Sequence, residues 1–331
     1  MTITKVKLYG VAAVFCLALF AMLARPGWPA SGTPSTVIKR VGYLLSGFQP
    51  PKEFLDAMNQ LGYIEGKNVV FEYRPLEGQE EGLPQLAEDL VRKKVDVIVA
   101  PGAAAGLAAK SVSRTIPIVY LGGGDPVALG LVASLAHPGG NVTGISDLAL
   151  GLTAKRLELL HEAFPKAASV AMLVRARAPH SDRELKDLGT QAKILGLKLR
   201  IFEVQRDDDL ERSFSTIEKE RLEALIELPN PFFHSNRKPI VDFALRSRMP
   251  SIFHSRDFVD AGGLMSYGAE FADMFRRAAI FVDKILTGAK PANLPIEQPT
   301  KFEFLVNLKT ARQIGVTIAP NVVARADQVI R

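Results

Sequence analysis

Among 331 residues there is one cysteine, Cys16, and one tryptophan, Trp28. Both lie ahead of residue 33, in a stretch where Lys5 and Lys7 precede the apolar run "YGVAAVFCLALFAMLA" and then "RPGWPASGTPS". That pattern predicts a secretory signal peptide over residues 1–32, removed in the mature protein and too short in its apolar part to be read as a spanning helix. Phe15 precedes Cys16 where a lipoprotein box would carry a small residue, so lipidation is not expected. A mature chain without a thiol excludes a disulfide framework, a thiolate nucleophile and a Cys-ligated metal.

Other absences narrow the class further. No later segment approaches a membrane span, which leaves a mature protein expected to be soluble in the periplasm. The formal charge of +6 includes Lys5, Lys7 and Arg25, so the mature chain carries about +3, without an arginine-rich run or aromatics interleaved with bases. Nucleic-acid binding is not expected. The five histidines, His137, His161, His180, His234 and His254, are far apart and form neither H-x3-H nor HExxH. There is no G-x-S-x-G elbow, no GxGxxG and no GxxxxGK[ST], so neither an enzyme nor a metal or nucleotide cofactor is expected.

What the chain does contain is an alternation of strand and helix. "RVGYLLSG" (40–47), "NVVFEYRP" (68–75), "DVIVAPG" (96–102) and "IPIVYLGG" (116–123) read as strands, separated by the amphipathic "PKEFLDAMNQLGY", "LPQLAEDLVRKKV" and "AAAGLAAKSV". The order begins again with "SVAMLVRA" (169–176), "LKLRIFEV" (197–204), "LEALIELP" (222–229) and "PSIFHSRDF", each joined to the next by a helical segment. This predicts an α/β protein of two Rossmann-like lobes in tandem, each a parallel sheet with helices on both faces. "NVTGISDLALGLT" (141–153) is the expected first connection.

In open parallel sheets, ligand-facing groups collect where strands end and helices begin. "LLSGFQPP", "APGAAAG" and "LGGGDPV" supply three such edges, each with small residues ahead of a helix N-terminus that favours an anion. Ser46 and Gly47 either meet a ligand or cap the next helix. Gly102, Ala103 and Ala104 offer backbone N–H groups. Gly124 and Asp125 form a lip, with Asp125 accepting from a ligand amine, capping a helix begun by Pro126, or doing both. In the second half Arg175, Arg177 and His180 form either an anion clamp or a solvated loop, and Asn230, Ser266 and Tyr267 fall at strand ends facing the same cleft. Phe232, Phe233 and Phe253 read as core.

Six segments in order carry a resemblance over Arg40 to Ile330: "LGYIEGKNVVFEYR", "VDVIVAPG", "IPIVYLGGGDPVALGLVASLAHPGGNVTG", "GGLMSYG", "VDKILTGAKPANLPIEQPTKFEFLVNLKTARQIGVTI" and "ARADQVI". The chain resembles the bacterial ABC-transporter substrate-binding proteins related to tryptophan- and tyrosine-binding transport components. The resemblance implies a periplasmic binding protein type I-like fold, with two lobes on a three-segment hinge closing over one small molecule, possibly an amino acid or related carboxylate. That ligand is delivered to an ABC permease in the cytoplasmic membrane, and the protein is expected to act as a monomer. A periplasmic sensor signalling to a membrane receptor would use the same site. The resemblance also implies lobe 1 from residues 33–145 and 266–290, and lobe 2 from 146–265 and 291–331, with the helix at 271–288 packed on lobe 1.

Overall fold

The computed structural model describes residues 38–44, 50–73, 82–147, 149–178 and 182–331. The proposed signal peptide, Ser46, Gly47 and His180 lie outside the described residues.

The first half builds a five-stranded sheet. Its strands are β1 (Lys39–Tyr43), β2 (Val69–Tyr73), β3 (Val97–Pro101), β4 (Ile118–Leu121) and β5 (Val142–Ile145), in the order β2-β1-β3-β4-β5 with every pair parallel. The run Val97 to Ala100 is wholly buried, as a central strand covered on both faces requires. Helices α1 (Lys52–Gln60), α2 (Leu83–Arg92) and α3 (Ala103–Val112) connect the strands. Leu83, Ala87 and Leu90 of α2 and Ala105, Ala108 and Ala109 of α3 fill one face. Phe54, Ala57 and Met58 of α1 fill the other.

The second half builds a seven-stranded sheet from β6 (Ser169–Arg175), β7 (Lys198–Val204), β8 (Ala224–Glu227), β9 (Ser251–Phe253), β10 (Met265–Ala269), β11 (Phe302–Asn307) and β12 (Gln328–Ile330). Their order is β12-β11-β10-β9-β8-β6-β7, parallel except for the antiparallel β10–β11 pair. On one face lie α4 (Ala149–Ala163) and α5 (Asp182–Ile194). The opposite face carries α6 (Asp207–Lys219), α7 (Pro231–Ser235), α8 (Arg237–Arg246) and α9 (Arg256–Asp260). At the start of α6, Asp209 accepts from the backbone N–H groups of Gln205 and Arg206, as the acidic opening of that segment suggests.

The segment 266–290 is divided between the sheets. β10 belongs to the seven-stranded sheet, whereas α10 (Phe271–Leu286) lays Met274, Ala278, Phe281, Val282 and Ile285 against the five-stranded one, beside Phe54 and Met58. The C-terminal part returns to the second sheet through β11, α11 (Leu308–Ile314), α12 (Pro320–Val323) and β12.

The chain therefore crosses between sheets three times: after Ile145, after Ala269 and ahead of Phe302. The crossings are bonded side by side. Ser146 N donates to Glu297 O at 2.9 Å, Glu297 N to Gly144 O at 2.9 Å, and Glu270 N to Lys301 O at 3.1 Å.

One expected element is missing. Residues 126–130 form turns rather than a helix beginning at Pro126. Gly130 has φ +68°, and the N–H groups of Leu131 and Val132 both fold back to Pro126 O. Leu131 and Val132 are buried in the first core, so side-chain burial fixes this segment where helical periodicity would have extended it.

Candidate functional site

Two turns form the first wall. The turn after β3 passes through Gly102 (φ +87°) into α3, bringing Ala103 and Ala104 to the first turn of that helix. The turn after β4 contains Gly122, Gly123 and Gly124, all with positive φ. The two turns nest: a Cβ on Gly123 would lie 2.6 Å from Ala103 N and 2.9 Å from Gly102 Cα, so only glycine allows this approach. The exit of β5 holds the glycine turn, Gly123 N donating to Asp147 Oδ1 at 3.1 Å and Ser146 Oγ to Gly124 O at 2.9 Å.

Asp125 is exposed, and its Oδ1 accepts from Val127 N at 2.8 Å and Ala128 N at 3.3 Å. The aspartate thus caps a turn rather than a helix. Asp125→Ala is expected to lower stability by about 1 kcal/mol, read from urea denaturation. A variant as stable as the parent would show that the cap contributes nothing.

The opposite wall begins with Asn230, whose Oδ1 accepts from Phe232 N at 2.8 Å and caps α7, with Pro231 next. A Cβ on Gly102 would lie 3.5 Å from Pro231 Cγ. Gly102 and Pro231, the residue after Asn230, therefore approach each other from different sheets.

Arg175 is neither a clamp in a loop nor solvated. It is 3% exposed, its Nη1 donates to the carbonyls of Val204 and Gln205, and its guanidinium lies 4.4 Å from the centroid of Phe232. The last residue of β6 is used to brace the neighbouring strand end and a buried ring, because its stem leaves the sheet toward the core. Arg177 is exposed with φ +57°. Ser266 is buried, while the Tyr267 side chain packs beside Phe304 at 6.3 Å between ring centroids. Phe232, Phe233 and Phe253 are core residues.

A buried group of charged and titratable residues that the sequence reading missed is Asp147, Arg156, Glu227 and His254, linked to the first wall through Asp147. Glu227 Oε1 accepts from His254 N at 2.9 Å and pairs with His254 Nδ1 at 2.8 Å. Arg156 Nη2 donates to Thr153 Oγ1 at 2.6 Å and Nη1 to Tyr267 O at 3.2 Å. Burial pushes the Glu227 carboxyl up, but the charge and hydrogen bonds of His254, together with Arg156, hold it below the usual carboxylate range. Burial dominates at Asp147 and raises it, against the N–H groups of Gly123 and Gly124 and the charges of His254 and Arg156. The available signal was a glutamate inside the apolar "ALIELP", since a lone acid in a buried strand requires a partner. Among the described residues, no group of three or more His, Cys, Asp or Glu side chains is placed to hold a metal ion. No helix among them is long and apolar enough to cross a membrane.

A family model described as ABC transporter substrate binding protein matches residues 49–330. The chain belongs to that family. As a substrate-binding protein it is the binding component of an ABC transporter and not an enzyme. This binding protein is 24% identical over 265 residues to the tyrosine-binding protein of Clostridioides difficile (strain R20291), covering 80% of this chain and 76% of the relative. A conserved domain protein from Vibrio cholerae O1 biovar El Tor superposes with a TM-score of 0.81 at 27% identity, covering 89% of this chain and 99% of the other. The ABC domain in complex with L-Trp from Streptococcus pneumoniae gives 0.80 at 24% identity, with coverage of 88% and 100%. The two sheets are those of a periplasmic binding protein type I-like fold.

Proposed function

We propose that this binding protein serves an importer on the outer side of the cytoplasmic membrane. It takes a small metabolite, an amino acid or a related carboxylate, between its lobes and presents it to the permease as a monomer. The signal peptide over residues 1–32 would deliver it to the periplasm. The observation that carries this reading is the meeting of Gly102 with Pro231, which places two strand-end turns from separate sheets within van der Waals reach. Three adjacent crossings supply a hinge on which such turns can part and close. Tyrosine in the name of one relative and L-Trp in the complex of another support an amino acid. Gly102, Ala103, Ala104, Gly124, Asp125, Asn230 and Ser266 are proposed to border the ligand, together with Ser46 and Gly47 from outside the described residues. Lobe 1 would comprise residues 33–145 with 271–294, and lobe 2 residues 149–269 with 302–331.

The test is a thermal-shift screen of amino acids and small carboxylates, followed by X-ray scattering and NMR of each hit. A ligand specific for the folded state adds about 2.7 kcal/mol of stability at a hundredfold excess over Kd. It should contract the molecule and be recovered unaltered. Conversion of a hit into another compound, or binding without contraction, would defeat the reading.

A further inference from the structure

The amino edge of the seven-stranded sheet, at the opposite end of its strands from the proposed cleft, is basic. In a parallel sheet each crossover helix ends at that edge, where the next strand begins. The last turns of α5, α6 and α8 carry Lys193, Lys219 and Arg246. Lys166 precedes β6, Lys198 opens β7, Arg221 precedes β8 and Arg248 precedes β9. All seven residues are exposed, and none makes an ion pair among the described residues.

Hydrogen bonds tie these connections into one surface. Lys198 N donates to Ala168 O at 2.8 Å, and Glu223 Oε2 accepts from Ala168 N at 2.6 Å and Ser169 N at 3.0 Å. Leu225 N donates to Pro250 O at 2.9 Å, and Ser247 Oγ to Glu218 Oε1 at 2.8 Å. Neighbouring strands lie about 5 Å apart, inside the screening length of about 8 Å at physiological salt, so the fields of these bases add.

The acids of this edge do not cancel them. Glu220 pairs with Arg200 at 3.3 Å and Glu162 with Arg325, which leaves Glu218 and Glu223 against the seven bases. That surplus exceeds the net charge of about +3 on residues 33–331, so the rest of the molecule is net acidic. The row stops at Asp260, ahead of β10.

A helix C-terminus attracts one base through its dipole, equivalent to about half a negative charge. Here each of three helix ends brings two: Lys193 with Lys198, Lys219 with Arg221, and Arg246 with Arg248. Arg221 and Arg248 have φ +55° and +51°, the left-handed backbone in which glycine usually follows a helix. The turns themselves thus disfavour the side chains that stand there. Ile194, between Lys193 and Lys198 in sequence, is 73% exposed. The connections hold no exposed aromatic ring on which a nucleic-acid base could stack.

We propose that this edge docks on the anionic phospholipid surface of a bilayer, its bases on the phosphates and Ile194 entering between the headgroups. Docked so, the second lobe keeps its carboxyl edge, and with it the proposed cleft, turned away from the lipid and open to solute. The contact needs no ligand and no movement of the lobes.

The test is co-sedimentation of the secreted protein with vesicles of phosphatidylcholine, either pure or containing about one-third phosphatidylglycerol. The protein should sediment with the anionic vesicles alone, and be released in about 1 M salt, where the screening length falls to about 3 Å. Arg221→Gly combined with Arg248→Gly should weaken binding about 25-fold. Glycine adopts the left-handed backbone freely, so that protein should be at least as stable as the parent, and its loss of binding is not a loss of fold. Ile194→Ser should weaken binding about 10-fold. Sedimentation with neither vesicle, or equally with both, overturns the proposal, as does undiminished binding in either variant. Tighter retention by DNA or by polyglutamate than by the anionic vesicles would assign the edge to a nucleic acid or an acidic protein, and overturns it too. None of these outcomes touches the thermal-shift screen, so the solute reading and this one can each fall alone.

Discussion

Gly144→Ala is expected to leave little folded protein. Gly144 sits in β5 with φ +137°, opposite Tyr120 of β4, and a Cβ there would lie 2.0 Å from Tyr120 O and 2.7 Å from Tyr120 N. Those are backbone atoms of a neighbouring strand, so no rotamer change relieves the clash and β5 must move away. Moving it also breaks the bond from Glu297 N to Gly144 O, which holds the first and third crossings together. The cost should exceed about 4 kcal/mol, a large share of the 5–15 kcal/mol that stabilises an ordinary domain. Gly140→Ala is the control: its Cβ would meet nothing within 4 Å, and the change should stay within about 0.5 kcal/mol. Urea denaturation and soluble yield measure both. A Gly144→Ala protein within about 1 kcal/mol of the parent would mean that β5 does not lie against β4 as described.

His254→Ala should lower stability by about 3 kcal/mol, since removing one partner of a buried pair leaves the other charge uncompensated. Glu227 is fully buried, and of its two contacts from His254 only the backbone N–H would remain. The imidazole also packs against Phe258 and Phe271 at 5.3 and 5.6 Å between ring centroids, so its loss opens a void next to the second crossing. Adding Glu227→Gln to His254→Ala should cost less than the two changes summed, because the second removes the orphaned charge created by the first. Strict additivity in chemical denaturation would show that the pair is not coupled.

β1 to β4 and β6 to β9 were legible as short apolar runs, several of them closed by glycine or proline. "DVIVAPG" and "SVAMLVRA" leave few alternatives once the helices between them are recognised. The turn at 126–130 was not, since an apolar segment after Asp-Pro has the spacing of a helix whether or not its glycine takes positive φ. Gly102 and Asn230 could be read as strand-end residues from their local context, yet only the fold puts them opposite each other. Arg175 misled because a cation after a strand looks solvent-bound, while its actual partners, Val204, Gln205 and Phe232, come from β7 and α7. Asp147, Arg156, Glu227 and His254 are spread over more than a hundred residues, and no local pattern announces that four such side chains share one buried space.

The placement of α10 has a consequence for synthesis. All five strands of the first sheet have emerged from the ribosome once Ile145 has, but the face bearing Val41, Val97 and Val119 is covered by a helix that ends only at Leu286. During that interval a nascent chain holds that apolar side covered only in part, by Phe54, Ala57 and Met58 of α1, and open elsewhere to other chains or to a holding chaperone. A chain released at residue 270 would leave the α10 share of that side uncovered for good. The division of the first lobe over distant segments thus makes completion of its core wait for the chain to reach Leu286.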